Sequence, residues 1–324
     1  AQGTEEEAAA MGATRMFSIA GFALAVGSAA SFALSGIFAS ALMSSGWSPG
    51  AAATVRIGLA ALVLLVPTLV LLRGRWGMVR RAWWPILLFG LLAVAGCQLA
   101  YFLAVQFIPP SLALLIEFMG PVLLMLWMWI RLRIAPSGVT LLGAALAVLG
   151  LVAISGIGFG GAALHPLGIV FALVAAVGNA AYYATSANAD HGIPPLPFAG
   201  LGLLVAAILL VILSATGLLP FAAGAAPILL AGSEVSPALA VAGMVLISTV
   251  TAFVLGIAAA RRLGATVASF TGYSEPLFGI FWTIVLLALL PTATQWLGAA
   301  LIVPGVIAVK DGGFLRVRGR ALSG

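Results

Sequence analysis

Three charged side chains stand inside otherwise apolar runs: Arg56, Glu117 and Glu275. A charge at hydrocarbon depth costs about 2.5–3.5 kcal/mol even on lenient insertion scales, so each implies a use. An arginine and two carboxylates offer two. Arg56 neutralises a glutamate in a buried ion pair that fixes packing, or its planar fork receives a substrate carboxylate while a glutamate holds an amino group or a coupling proton. The sequence leaves both open. Gln98, Tyr101, Asn179, Tyr182, Tyr183 and Tyr273 are further polar residues within apolar runs. They are candidate substrate contacts, although each singly is more often an interhelical hydrogen bond than a ligand contact. Pro121 and Pro276 remove a helix bond one turn back and are candidate hinges, while Pro109 and Pro110 open the run that holds Glu117.

Other chemistries find no support. There is no Gly-rich phosphate loop with a lysine, no nucleophile elbow and no paired His-Glu metal motif. His165 and the Asp190–His191 pair sit at the edges of different runs, on opposite sides, too few and too far apart to hold a metal. No metal and no cofactor are expected, and an ATP-driven pump or an enzyme is disfavoured. Cys97, the single cysteine, lies in an apolar run; it offers no disulfide and reads as a small buried hydrophobe.

The elements that must position these residues follow from composition. The chain is 63% hydrophobic and 7% charged, against roughly a quarter charged in soluble domains. A β-barrel would need short strands of alternating polarity, and the runs here are unbroken. An all-α, polytopic membrane protein is expected. At about 1.5 Å rise per residue, some twenty residues cross the bilayer core. Gly, Pro and charged punctuation gives ten such runs: Phe17 to Met43, Gly50 to Leu72, Ala82 to Phe107, Pro110 to Ile130, Ser137 to Ile157, Pro166 to Ala189, Pro197 to Leu218, Pro237 to Ala260, Ala265 to Leu290 and Thr292 to Val309. The first is too long for a signal-peptide core and reads as a retained helix. Residues 1–16, with Glu5, Glu6 and Glu7, read as a disordered tail.

Basic loop residues are retained on the cytoplasmic side. Arg15, the group Arg73, Arg75, Arg80 and Arg81, then Arg131 and Arg133, Arg261 and Arg262, and finally Lys310, Arg316, Arg318 and Arg320 all fall on one side of a ten-span threading. The loops on the other side carry none. Both termini are therefore expected in the cytoplasm, with the net charge of +6 set by topology and anionic lipid rather than by nucleic acid. On this threading the three buried charges all lie about 10 to 15 Å below the outer surface, within reach of one cavity.

The chain also repeats. At an offset of 155, Tyr101–Ser155 aligns with Gly256–Lys310: Pro121 meets Pro276, Trp127 meets Trp282, and Leu142-Gly143-Ala144-Ala145-Leu146 meets Leu297-Gly298-Ala299-Ala300-Leu301. A weaker echo joins Gly27-Ser28-Ala29-Ala30 to Gly178-Asn179-Ala180-Ala181. Five spans per half make the second half inverted, so 17–157 and 158–309 read as two inverted five-helix repeats followed by a basic tail, 310–324. Such halves can exchange conformations and open a central site to either side in turn.

The stretch Val105-Gln106-Phe107-Ile108-Pro109-Pro110 through Glu117-Phe118-Met119-Gly120-Pro121 resembles the drug/metabolite transporter superfamily, EamA type, and most of all its threonine/homoserine exporter branch. Ser48-Pro49-Gly50 with Arg56, Ser274-Glu275-Pro276 and the Gly-Ala-Ala-Leu runs carry the same resemblance. It implies a secondary active transporter of a bacterial inner membrane, exporting amino acids or related small metabolites by alternating access, with a proton as candidate coupling ion. Its partners would be that substrate and the lipid bilayer. One alternative is an efflux carrier for cationic compounds, although span one offers Ser28, Ser31 and Ser35 where such carriers place a glutamate. The other is a non-transport membrane protein, a lipid-handling enzyme or a scaffold.

Overall fold

In hydrocarbon every backbone N–H and C=O must be paired within the protein, which restricts this chain to helices wherever it crosses. The structure, a computed structural model, describes residues 2–108, 110–133, 135–156 and 165–321. Among the described residues, ten helices are long and apolar enough to span: Ile19–Ser44, Pro49–Leu71, Trp83–Ala104, Leu112–Arg131, Gly138–Ser155, Pro166–Ala187, Pro195–Ala215, Pro237–Leu263, Ala265–Leu287 and Ala293–Gly312. They are called spans one to ten, and their ends fall within a few residues of those read from the sequence. An even number of crossings returns the chain to the face it left, called here the terminal face.

Five features depart from expectation. The backbone is helical from Gln2 onward rather than an irregular tail, and the last helix continues as Ala293–Ala321 through the basic segment. The loop between spans seven and eight holds a two-stranded antiparallel hairpin, Ile228–Leu230 with Ser233–Val235. Its turn residues Ala231 and Gly232 have φ of 52° and 75°, positive at both places as a type I′ turn requires. Spans four and nine are broken, and spans three and eight contain π-helical turns. Pro109 and the junction between the two repeats, at 157 and 158, lie outside the described residues.

The breaks and wide turns obey the repeat. Span four is made of Pro110–Glu117 and Gly120–Leu132, and span nine of Ala265–Thr271 and Ser274–Leu287. The π segments Phe89–Gly96 and Leu246–Thr251 overlap at the same offset. Spans four and nine end on residues in the left-handed region, Arg133 at φ 54° and Ala288 at φ 52°, again 155 apart. Pro121 occupies the first turn of the second piece of span four. There its missing N–H has no partner to lose, so it starts a helix instead of kinking one. Pro276, three residues into Ser274–Leu287, does the same. The expected kinks are full breaks.

Packing interlocks the halves. Span one lies against spans eight and nine, span six against spans three and four, span two against span seven, and span five against span ten. Spans five and ten meet through four glycines. A Cβ on Gly143 would stand 2.6 Å from the Gly305 carbonyl oxygen, and one on Gly150 would stand 2.7 Å from that of Gly298. Without a hydrophobic drive between helices in lipid, such close backbone approach supplies the dispersion contact that holds them. Leu62, Val66, Val70, Ile130 and Leu142 are among the large apolar side chains left exposed, as a lipid-facing surface requires.

Candidate functional site

The two broken spans put backbone ends in the middle of the bundle. Glu117 is the last residue of the first piece of span four, and Glu275 lies in the first turn of the second piece of span nine. The Glu117 side chain thus sits at the carbonyl end of a short helix and the Glu275 side chain at the N–H end of a longer one, where the peptide dipoles favour negative charge. Arg56, on span two, is placed about 10 Å along the helix from the face opposite the termini, Glu117 at a similar depth and Glu275 about 18 Å from that face. All three are half-buried.

Arg56 interacts electrostatically with Glu275 and with Glu117, so the three belong to one charged group. They do not neutralise one another by contact. Among the described residues, no ion pair of 4.0 Å or less joins Arg56 to either carboxylate. Its Nη1 donates to the Ser35 hydroxyl on span one, and its Nε is buried without a partner.

Glu117 has the denser surroundings. Asn179 on span six donates from Nδ2 to the Glu117 carbonyl oxygen at 3.3 Å, satisfying an acceptor that the end of the short helix leaves open. The break fits tightly here, since a Cβ on Gly120 would stand 2.9 Å from the Ala176 carbonyl oxygen. Cys97, read from the sequence as an inert hydrophobe, points its thiol at Glu117 Oε1 and at the Ala175 carbonyl oxygen, each at 3.4 Å. Its one signal was position, on the same short helix as Gln98 and Tyr101. Tyr101 lies within electrostatic reach of Glu117, and Gln98, three residues earlier on the same helix, is half-buried.

Glu275 faces a cavity instead, lined also by Ser28, Phe32, Tyr182, Tyr183 and Gly272. The space is about 10 Å³, room for about one water molecule. Tyr183 packs edge-on to Tyr182 at 4.8 Å, and its hydroxyl approaches Gly272 at the break. Ser28, the counterpart of Asn179 in the weaker echo, donates to the Ala252 carbonyl oxygen at 2.8 Å. Tyr273 does not join this cavity. It is fully buried against Phe118 and Phe270 in the cluster formed with spans five and ten.

Beside the cavity, and sharing Phe32 and Tyr182 with its lining, the bundle is filled by rings. Tyr182, Phe32, Phe89, Phe198 and Phe253 form a connected set, with Phe32–Phe253 at 5.0 Å and Phe89–Phe198 at 5.1 Å. At the face opposite the termini the Ser48-Pro49-Gly50 motif is a clamp between loops. Ser48 caps span two through Ala51 N–H and donates to the Pro220 carbonyl oxygen at 2.9 Å, and Trp47 Nε1 donates to the Gly224 carbonyl oxygen at 2.8 Å.

Residues 19–156 and 166–310 each match the model of a family described as the EamA-like transporter family. A solved crystal structure covers 92% of this chain and 96% of its own, with a TM-score of 0.68 at 21% identity, which shows a shared fold. No curated protein matches the sequence.

Proposed function

Because the chain belongs to the EamA-like transporter family, whose members carry small molecules across membranes, we propose that it is a secondary active exporter of amino acids or related small metabolites. The observation that carries this reading is the charged group at the helix breaks. Arg56 is held near two carboxylates without contacting either and keeps a buried, unpartnered Nε. A zwitterion would complete the set, its carboxylate on Arg56 and its ammonium on Glu117 or Glu275, with the other glutamate free to exchange a proton. The simple ion pair that would merely fix packing is not formed.

The cavity beside Glu275 is too small for an amino acid. Loading therefore needs the broken spans to move, and breaks at equivalent places in inverted halves supply two matching hinges. Pro121 and Pro276 would act there as helix starts about which each outer piece swings. The resemblance to the threonine/homoserine branch makes threonine and homoserine the first substrates to try. The basic residues of the loops on the terminal face support a threading with both termini on the cytoplasmic side, and the family resemblance supports a bacterial inner membrane as its setting.

One observation favours a lipophilic cation as the substrate instead. Glu275 shares its cavity with Phe32, Tyr182 and Tyr183, an acid with aromatic faces. Counterflow in proteoliposomes, run across an amino-acid panel with and without a proton gradient, separates the two. Saturable exchange of a neutral amino acid is expected. No response to any amino acid, with uptake of tetraphenylphosphonium, would replace this reading by cation efflux.

A further inference from the structure

At the terminal end of span eight an arginine uses only part of its binding capacity. Arg261 lies in the last turn of Ala252–Leu263, and its Nη1 donates to the Ile193 carbonyl oxygen in the loop between spans six and seven. Its guanidinium carbon is 5.6 Å from the centre of the Phe198 ring. His191 stacks on the same ring at 5.1 Å with the planes 11° apart, and its Nδ1 accepts from Ile193 N–H at 3.1 Å. With Nδ1 accepting, a neutral imidazole carries its proton on Nε2.

Three nitrogens of this cluster are buried with no hydrogen-bond partner: Arg261 Nε, Arg261 Nη2 and His191 Nε2. Nε and Nη2 lie along one edge of the guanidinium, the edge that grips two oxygens of a single group. Leaving a charged fork buried and unpaired is costly, so the geometry asks for an oxyanion. The chain's neighbouring acid does not supply it: Asp190 is exposed, and among the described residues it forms no ion pair with Arg261. Around the cluster the charge is positive. Met78, whose Cε would stand 2.9 Å from a Cβ on Gly192, belongs to the short helix Trp76–Arg81 that carries exposed Arg80 and Arg81, and Arg262 is exposed beside Arg261. Such a field prefers a net anion to a zwitterion.

We propose that Arg261 and His191 form a phosphate-binding site at the membrane boundary of the terminal face, filled by an anionic phospholipid headgroup or by free phosphate. Bound there, the phosphate ties the loop between spans six and seven to the end of span eight.

The test uses the purified full-length protein in detergent. Thermal unfolding is followed while phosphatidylglycerol, phosphatidylcholine, inorganic phosphate or acetate is titrated into the wild type and Arg261→Lys, which keeps the charge but loses the two-nitrogen edge. A saturable rise in Tm is expected with phosphatidylglycerol or phosphate, with affinity about tenfold weaker in Arg261→Lys. A response to the lipid alone assigns the headgroup as source; a response to inorganic phosphate assigns the free anion. No saturable shift with either, an equal shift with acetate, or unchanged affinity in Arg261→Lys overturns the proposal. Should Arg261→Lys fail to insert, native mass spectra of the wild type decide: one phosphatidylglycerol or phosphate adduct per chain supports the site, and no adduct overturns it.

Discussion

The breaks in spans four and nine have the same backbone and different chemistry. Both fall at one repeat position, and each is followed by a helix with a proline in its first turn. Yet Glu117 closes a short helix under the side chains of Asn179 and Cys97, while Glu275 opens a longer one beside a water-sized cavity. Arg56 serves both from a single copy, with no basic residue in span seven to match it. The two halves share the broken backbone and differ in the side chains that surround it.

The largest predicted effects fall on that divergent chemistry. Arg56→Ala, Glu117→Gln and Glu275→Gln should each reduce substrate flux by about 100-fold, as expected for losing a charge-assisted contact of about 3 kcal/mol, with normal insertion verified by membrane fractionation. Wild-type flux in either glutamine variant would assign that break a structural role only.

Next comes a pair of changes that should be equal, because here the halves are alike. The repeat counterparts Gly143→Val and Gly298→Val each drive a branched side chain into the facing backbone of the five–ten pair. Each should cost about 1–3 kcal/mol of stability, read as a fall in Tm. A large difference between the two would show that the pair is less symmetric than the fold suggests.

A smaller and unequal effect is expected at the counterparts Asn179 and Ser28. Asn179→Ala strands the carbonyl oxygen at the end of a helix, at about 1–3 kcal/mol. Ser28→Ala removes a donor to Ala252, a carbonyl within the Ala252–Leu263 helix, at about 0.5–1.5 kcal/mol. Equal losses would contradict the assignment of Asn179 to the break.

The smallest effect concerns the loops. Burial and then Arg261 hold the His191 imidazole below its ordinary pKa. A depressed histidine binds fewer protons folded than unfolded, so its contribution is complete above its unfolded pKa of about 6.5 and is lost as pH falls below it. The wild-type Tm should therefore decline on going from pH 7.5 to pH 5.5 more steeply than that of His191→Gln. The corresponding clamp of the first half, Trp47 and Ser48, has no titrating group and should add nothing to that slope.

Much of this was legible in the sequence, for reasons that also mark where legibility stops. Span count, repeat register and the three buried charges follow from hydropathy and the cost of burying charge, which act residue by residue. Whether Pro121 and Pro276 kink a helix or begin one does not, because proline fits a first turn and the preceding Met119 and Tyr273 keep nearly helical backbone angles. The thiol of Cys97 reaches Glu117 only through the packing of span three against spans four and six, and Tyr273 turns from the cavity for the same kind of reason. The donors left over on Arg261 are visible only once Ile193 and Phe198 are placed beside it.

Arg56, Glu117 and Glu275 are proposed to hold one substrate between them. The most direct test of this is the dissociation constant of the transported amino acid, measured by titration calorimetry on the wild type, Arg56→Ala, Glu117→Gln and Glu275→Gln in the same detergent. Loss of binding by about tenfold or more in all three variants is the predicted result. Wild-type affinity in Arg56→Ala, or in both glutamine variants, would contradict the shared site.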